Sequence, residues 1–326
     1  MPHPQVLCLG EILYDRIADH VASSIQHVSS WTNYVGGAPA NVACALSKLG
    51  TESGFIGAIG NDPIGQALVT QLSAEGVNPT GIQRIATHPT RTVLVLRSTS
   101  GERTFAAFGD QRATTDFADT QLEAAHLPQS RFKTAKFLVL GSLAMATPKS
   151  HDANLQAIKI AHQSGNQVFL DVNWRPVFWP QPAQAKSTIA KLIQQVDWLK
   201  LSIEESKWLL GHHNPHQIIQ QFPQLQGVFI TLGPDGCDYW LRGHHGKAPA
   251  LAVIVQDTTG AGDGFVAGLL HQLCRTESVS SITAQAANTI VTYACAVGSL
   301  TTTQLGAINA QPTAAQVQQL LNQTER

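Results

Sequence analysis

Asp263 stands inside the stretch DTTGAGDGF, residues 257–265, which runs straight into VAGLLHQL, a segment with helical spacing. Glycine and alanine leave the backbone N–H groups of Gly260, Ala261, Gly262 and Asp263 without side-chain cover, so the turn reads as an anion site at a helix N-terminus. A carboxylate in such a site opposes the anion. The conflict disappears if the anion is a reacting phosphate and Asp263 removes a proton from the group that attacks it. The plainer alternative is an ordinary acid in the first turn of a tight helix entry.

A second glycine-rich segment, VGGAPANVACALSKLG, puts Gly36 and Gly37 before a helix that carries Asn41 and stops at Gly50. Glycine lets main chain approach a ligand, and an asparagine amide offers both a donor and an acceptor to vicinal hydroxyls. Asp15 follows the apolar run QVLCLGEIL, where its carboxylate either accepts from hydroxyls or forms a turn. DVNWRPVFW holds Asn173 and Arg175; the planar fork of Arg175 suits a phosphate oxygen or a sugar, or it is a surface arginine beside a turn proline. The histidines of HHNPH (His212, His213, His216) and the pair His244-His245 have metal-compatible spacing, but they read as solvated residues of polar loops.

These residues need a scaffold that gathers them. The chain has 326 residues, 43% hydrophobic and 13% charged, enough for one large core. Lys plus Arg (21) nearly balances Asp plus Glu (22), which recommends neither nucleic acid nor a membrane surface as a partner. The five cysteines form no C-x-x-C pair, as expected of buried thiols in a reducing compartment, and with neither a leader nor a spanning segment in the sequence the expected location is the cytoplasm.

Short apolar runs ending in glycine or polar residues alternate with helical stretches: QVLCLG, SGFIGAIG, AKFLVLG, QVFLDV, VDWLKLS and GVFITLG. That is the rhythm of a parallel α/β sheet, whose ligands bind at the carboxyl ends of strands, so Gly141, Asn173, Lys200 and Gly233 are expected to share one crevice. Residues 16–34 look polar and poorly periodic. TRTVLVLRSTSGERTFAAFG alternates about Ser100-Gly101 and reads as a peripheral β-hairpin, and TAAQVQQLLNQTER as a closing helix. One domain over 1–326 with a small β appendage is the economical reading.

The two glycine signatures together resemble those of the ribokinase-like, or PfkB-type, carbohydrate kinases, over nearly the whole chain. The resemblance implies a three-layer αβα sandwich with a mainly parallel central sheet and a small β-sheet lid, built from segments near 16–35 and 88–112. It implies that Asp263 is the general base and that the backbone of Gly260, Ala261 and Gly262 forms the anion hole for the γ-phosphoryl group. Asp15, Gly36, Gly37 and Asn41 would bind the sugar, with Arg103 and Phe105 of the lid, Asn173 and Arg175; Phe105 would pack on the sugar or between hairpin and core. LKLSIEE resembles the family's N-x-x-E element in a K-x-S-x-x-E form: Ser202 replaces the usual asparagine, and Glu205 would hold Mg²⁺ through water. Lys200, Ser202, Thr231, Gly233, Gly236 and Gly262 would meet ATP, while Asp257 and Thr259, with the loop near Gly306, would bound K⁺.

D-x-N-x-R-P-x-x-W and K-x-S-x-x-E resemble fructokinases most, implying ATP-dependent phosphorylation of the 6-hydroxyl of D-fructose. 2-Keto-3-deoxygluconate and ribose stay open as acceptors, and a non-catalytic fructokinase-like binding protein is the alternative of another class. An anionic acid sugar would need a further cation, for which the lid offers Arg91, Arg97, Arg103 and Arg112. The implied partners are the sugar and ATP, and a second copy joined through the lid.

Overall fold

The computed structural model describes residues 4–97, 103–276 and 279–324. The chain opens with β1 (Val6–Leu9), β2 (Leu13–Val21), β3 (Trp31–Gly36), α1 (Ala38–Lys48), β4 (Ser53–Gly60), α2 (Pro63–Ala74), β5 (Asn78–Ile85), β6 (Thr92–Arg97) and β7 (Arg103–Phe108). It continues through α3 (Gln129–Phe132), β8 (Phe137–Gly141), α4 (Pro148–Gln163), β9 (Gln167–Asp171), α5 (Pro182–Ile193), β10 (Trp198–Ser202), α6 (Ile203–Leu210), α7 (Pro215–Gln221) and β11 (Gly227–Thr231). It closes with β12 (Cys237–Leu241), β13 (His244–Ala248), α8 (Ala261–Arg275), α9 (Ala284–Thr301) and α10 (Ala314–Thr324).

Nine strands form one sheet in the order β13-β12-β11-β10-β9-β8-β1-β4-β5, parallel except at its β11-β12-β13 end. Its strands are apolar on both faces because helices cover both. Along each strand the period of two splits the side chains between two cores: Val6, Cys8, Val139 and Trp198 face the layer of α1, α8 and α9, whereas Leu7, Leu9, Leu140 and Leu199 face α4 and α5. On the first face Trp198 of β10 stacks on Phe229 of β11 at 6.4 Å between ring centroids and meets Phe137 of β8 edge-on at 6.1 Å. This is the three-layer α/β fold with a mostly parallel sheet.

The second sheet has four strands, ordered β3-β2-β6-β7. Residues 16–34, polar and poorly periodic in the sequence, supply much of β2 and β3. Their apolar alternation is faint because the strands are only half-covered: the burial of β2 runs from buried Leu13 to exposed Val21. Asp15 accordingly sits on β2 of this lid, paired with Tyr34 and Val93, and not at the end of β1. Strands β6 and β7 are the expected antiparallel pair, and the Ser100-Gly101 turn lies outside the described residues. His216 belongs to α7 and His244-His245 to β13, not to loops, and no group of metal-ligating side chains occurs among the described residues. All five cysteines are free and buried, and among the described residues no helix is long and apolar enough to cross a membrane.

The lid is tied to the main body by one buried cation. Arg91, just before β6, gives Nε and Nη2 to the two carboxylate oxygens of Asp119 at 2.6 and 2.9 Å. Its other donors reach the Oγ1 and carbonyl of Thr114, and its guanidinium lies 4.6–5.3 Å from the rings of Phe108, Phe117 and Phe178. The lid strands, the 114–119 segment and the loop after β9 are thus held by one side chain.

Candidate active site

Strand ends and three helix N-termini, those of α1, α6 and α8, converge on a crevice of about 480 Å³ between the sheet and the lid. Asn173 and Lys200 line it as expected, whereas Gly141 and Gly233 do not. A larger cavity of about 740 Å³ lies beside Trp179 and the start of α4, but Lys149 and His151 on its wall are already paired with Glu123 and Asp152.

Gly260 caps α8 in the left-handed region, φ 81°, and a Cβ there would stand 3.0 Å from the Cα of Ala307. Only glycine fits both the turn and the approach. Asp257 fixes the same loop from its other end: Oδ1 accepts from the N–H (3.1 Å) and hydroxyl (2.7 Å) of Thr259, and Oδ2 accepts from Gly306 N at 3.1 Å. The anion site is narrower than the sequence suggests, because the Ala261 N–H turns back onto the Thr258 carbonyl at 3.3 Å. The N–H groups of Gly262 and Asp263 have no acceptor among the described residues, and the α8 dipole adds to their field.

Asp263 lies in this first turn, and Asn41 Nδ2 donates to its Oδ2 at 2.8 Å. Burial pushes its carboxyl up to about 7, against the Asn41 hydrogen bond; Asp171 pushes it further up, and Lys200 and Arg175 pull it down. Lys200 Nζ donates to both oxygens of Asp171, at 3.0 and 3.2 Å, across the register pair that joins β9 to β10. Burial works against its charge, but Asp171 and Glu205 outweigh it and hold the ammonium above the ordinary lysine value. A Cβ on Gly262 would come within 3.1 Å of this Nζ, so the cation stands directly against the anion site.

At the end beneath the smaller sheet, Asp15, Gly37 and Asn41 line the crevice. Gly36 packs against the Asp15 carboxylate behind them. Glu11, which is 7% exposed, also lines the crevice and is not among the residues singled out from the sequence. The cap of α1 is Gly37, which has no side chain, so Glu11 Oε1 takes the orphan N–H of Ala38 at 3.0 Å. Burial raises its carboxyl to about 7. The acid of a G-E pair beside a glycine-capped helix was the signal available.

Asn173 has φ 40°, an uncommon left-handed conformation for a residue other than glycine, and both it and Arg175 line the crevice. Their loop is held by Trp174, stacked at 4.6 Å on Trp208 of α6, and by Glu205 Oε1, which accepts from Trp174 N at 2.7 Å. Glu205 Oε2 accepts from Ser202 N and Ser202 Oγ from Glu205 N, a capping box that also starts α6. Both residues still line the crevice. Phe105 packs edge-on against Phe108 at 5.0 Å, in the core beneath the lid, and is not part of the crevice wall. Arg103 lies in β7 and its side chain is outside the described residues. Thr231, Gly233 and Gly236 lie one strand beyond; Thr231 is the register partner of Ser202.

Residues 3–314 match the family described as pfkB family carbohydrate kinase. The chain is 33% identical over 322 residues to the probable fructokinase-6, chloroplastic, of Arabidopsis thaliana, covering 98% of this chain and 82% of that one. Its fold superposes on the fructokinase of Xylella fastidiosa with bound ATP at a TM-score of 0.89, with 29% identity and coverage of 98% and 99%. It superposes on the Vibrio cholerae fructokinase bound to fructose, ADP and calcium ion at 0.84, with 30% identity and the same coverage.

Proposed function

The chain belongs to the pfkB family of carbohydrate kinases, and from that premise we propose that it transfers the γ-phosphoryl group of ATP to the primary 6-hydroxyl of D-fructose. The observation that carries the chemistry is a half-buried carboxylate in the first turn of α8, beside two acceptor-free N–H groups and the Lys200 ammonium. Asp263 accepts the hydroxyl proton as the sugar oxygen bonds to the γ-phosphorus. The bond from that phosphorus to the β–γ bridging oxygen breaks, and its electron pair leaves with ADP. The N–H groups of Gly262 and Asp263 and the Lys200 ammonium face the charge that develops on the transferred group.

The acceptor is read as uncharged because Glu11, Asp15 and Asp263 line the crevice and its cations are few, Arg175 and Lys200. Arg91 is consumed by Asp119, Arg112 leans on Asp110 at 3.7 Å, and neither these nor Arg97 lines the crevice. Asp15 and Asn41 suit vicinal hydroxyls, and a site built to pair with hydroxyls rejects sugars that leave those groups unpaired. A coupled ADP-release assay over fructose, ribose, glucose and 2-keto-3-deoxygluconate tests this. Fructose should give the highest kcat/KM; a higher value for ribose or 2-keto-3-deoxygluconate would overturn the acceptor while leaving the kinase.

No cluster of protein carboxylates suits a directly held divalent ion among the described residues, so magnesium would ride on the ATP phosphates, with Glu205 reached through water. It would neutralise phosphate charge. Each Glu205 oxygen accepts one backbone N–H and keeps a lone pair, which fits an outer-sphere role. Potassium would bind beside the loop that Asp257 ties to Thr259 and Gly306. Glu205→Gln should raise the magnesium concentration for half-maximal rate several-fold and change the fructose KM less. Because Gln cannot accept both N–H groups, its melting temperature should also drop. A raised fructose KM at unchanged magnesium demand would remove Glu205 from the metal's surroundings.

A further inference from the structure

Asp263 is flanked by Gly262 and Gly264, so no neighbouring side chain in its own turn fixes its rotamer. Its orientation has to come from elsewhere in the fold. Among the described residues the carboxylate receives one side-chain hydrogen bond, from Asn41 Nδ2 to Oδ2 at 2.8 Å. Asn41 lies in the alanine-rich α1, is 5% exposed, and its Oδ1 is buried without a partner. A buried amide in an alanine-rich helix is costly unless its hydrogen bonds matter. The opposite amide orientation would set Oδ1 against the ionised carboxylate, so the donor faces Asp263.

We infer that Asn41 is a positioning residue for the base: it clamps Asp263 Oδ2, leaving Oδ1 to take the hydroxyl proton, and its own Oδ1 awaits a donor from the sugar. This rests on Asp263 being the base, and it adds to the sugar contact of Asn41 a second end that reaches the reacting proton. One amide then joins the sugar loop on α1 to the catalytic turn on α8, and a sugar hydroxyl polarising Oδ1 strengthens the bond from Nδ2. The other charged groups facing Asp263 are Asp171 on β9, Lys200 on β10, Arg175 in the loop after β9 and Glu11 after β1. Asp171 and Glu11 oppose its ionisation, and Lys200 and Arg175 favour it. Asn41 is the neutral member of the set, so its removal changes the base without changing the site's charge.

The test is the pH profile of kcat for the wild type, Asn41→Ala and Asn41→Asp, measured with saturating fructose and ATP and with melting curves to show that each variant folds. Losing a donor to the ionised carboxylate should move the acid limb of Asn41→Ala up by about one pH unit, with kcat at high pH recovering to within several-fold of the wild type. Asn41→Asp keeps the shape and puts a second carboxyl against Oδ2. Its limb should move further up, and turnover at pH 7 should fall about tenfold or more. It carries the test if Asn41→Ala does not fold. A raised fructose KM with both acid limbs unmoved would overturn the inference and leave Asn41 a sugar contact only. A wild-type profile with no acid limb would instead overturn the assignment of the base, and the inference with it.

Discussion

Replacing Asp263 by Asn is expected to lower turnover by about 10²-fold or more while ATP still binds. The substitution keeps the volume and an acceptor for Asn41 Nδ2 but removes the group that takes the proton. In the parent enzyme, turnover should climb as pH rises toward about 7 and then level, because the carboxylate must be ionised to act and burial has raised its affinity for the proton. Stability should move the other way. A carboxyl raised from its ordinary value to about 7 binds its proton more tightly folded than unfolded. Its contribution to stability is therefore fully present at low pH and is lost as pH rises through about 7. At pH 8 the Asn variant should accordingly melt no lower than the parent, and higher if Lys200 and Asn41 do not fully offset the buried charge. Near-parental kcat in a folded variant would exclude Asp263 as the base. A variant both inactive and much less stable at pH 8 would mean that the side chain serves the fold.

The largest stability effect is expected at Arg91. Arg91→Ala leaves the Asp119 carboxylate buried without its partner, since the two side chains are 2% and 7% exposed, and it removes the cation from the rings of Phe108, Phe117 and Phe178. Breaking one side of such a pair costs about 3–5 kcal/mol, well above the value of a surface pair. Arg91→Lys should recover only part of this, because one ammonium nitrogen cannot hold the two oxygens of Asp119 from two separate nitrogens and reach Thr114 at the same time. The same residue anchors the lid, so the sugar KM should rise in Arg91→Lys while its ATP KM stays close to the parent's. Denaturant unfolding of the three proteins checks the first effect; a loss below about 1 kcal/mol for Arg91→Ala would show the pair to be as weak as an exposed one.

These two residues mark what the sequence did and did not disclose. The turn around Asp263 and the Gly36-Gly37 loop were legible because their chemistry is local: small residues expose main chain, and an adjacent helix pattern states where the dipole lies. The alternation of buried strands was legible for the same reason, and it fixed which crevice Asn173 and Lys200 would share. Arg91 appeared only as one lid cation among several, because its partner is 28 residues away and its aromatic box comes from three separate segments. The Lys200–Asp171 pair had a visible trace, one opposite charge near the end of each of two apolar strand runs, but that the strands are neighbours is a property of the sheet. Glu11 was overlooked because a glutamate after a strand has many uses, and only the side-chain-free cap of α1 requires this one. The hairpin of β12 and β13 was missed because HHGKA lacks the branched and aromatic residues that mark strands.

Phosphorus NMR of the wild-type reaction with fructose, ATP and magnesium tests the central claim most directly, because it reads where the phosphoryl group goes as well as whether ATP is consumed. The account predicts that loss of the γ-phosphorus signal is matched by a single new phosphomonoester coupled to the protons of carbon 6 of fructose, and that this product is absent with Asp263→Asn over the same time. Phosphate on another carbon, or release of inorganic phosphate alone with fructose unchanged, would contradict it.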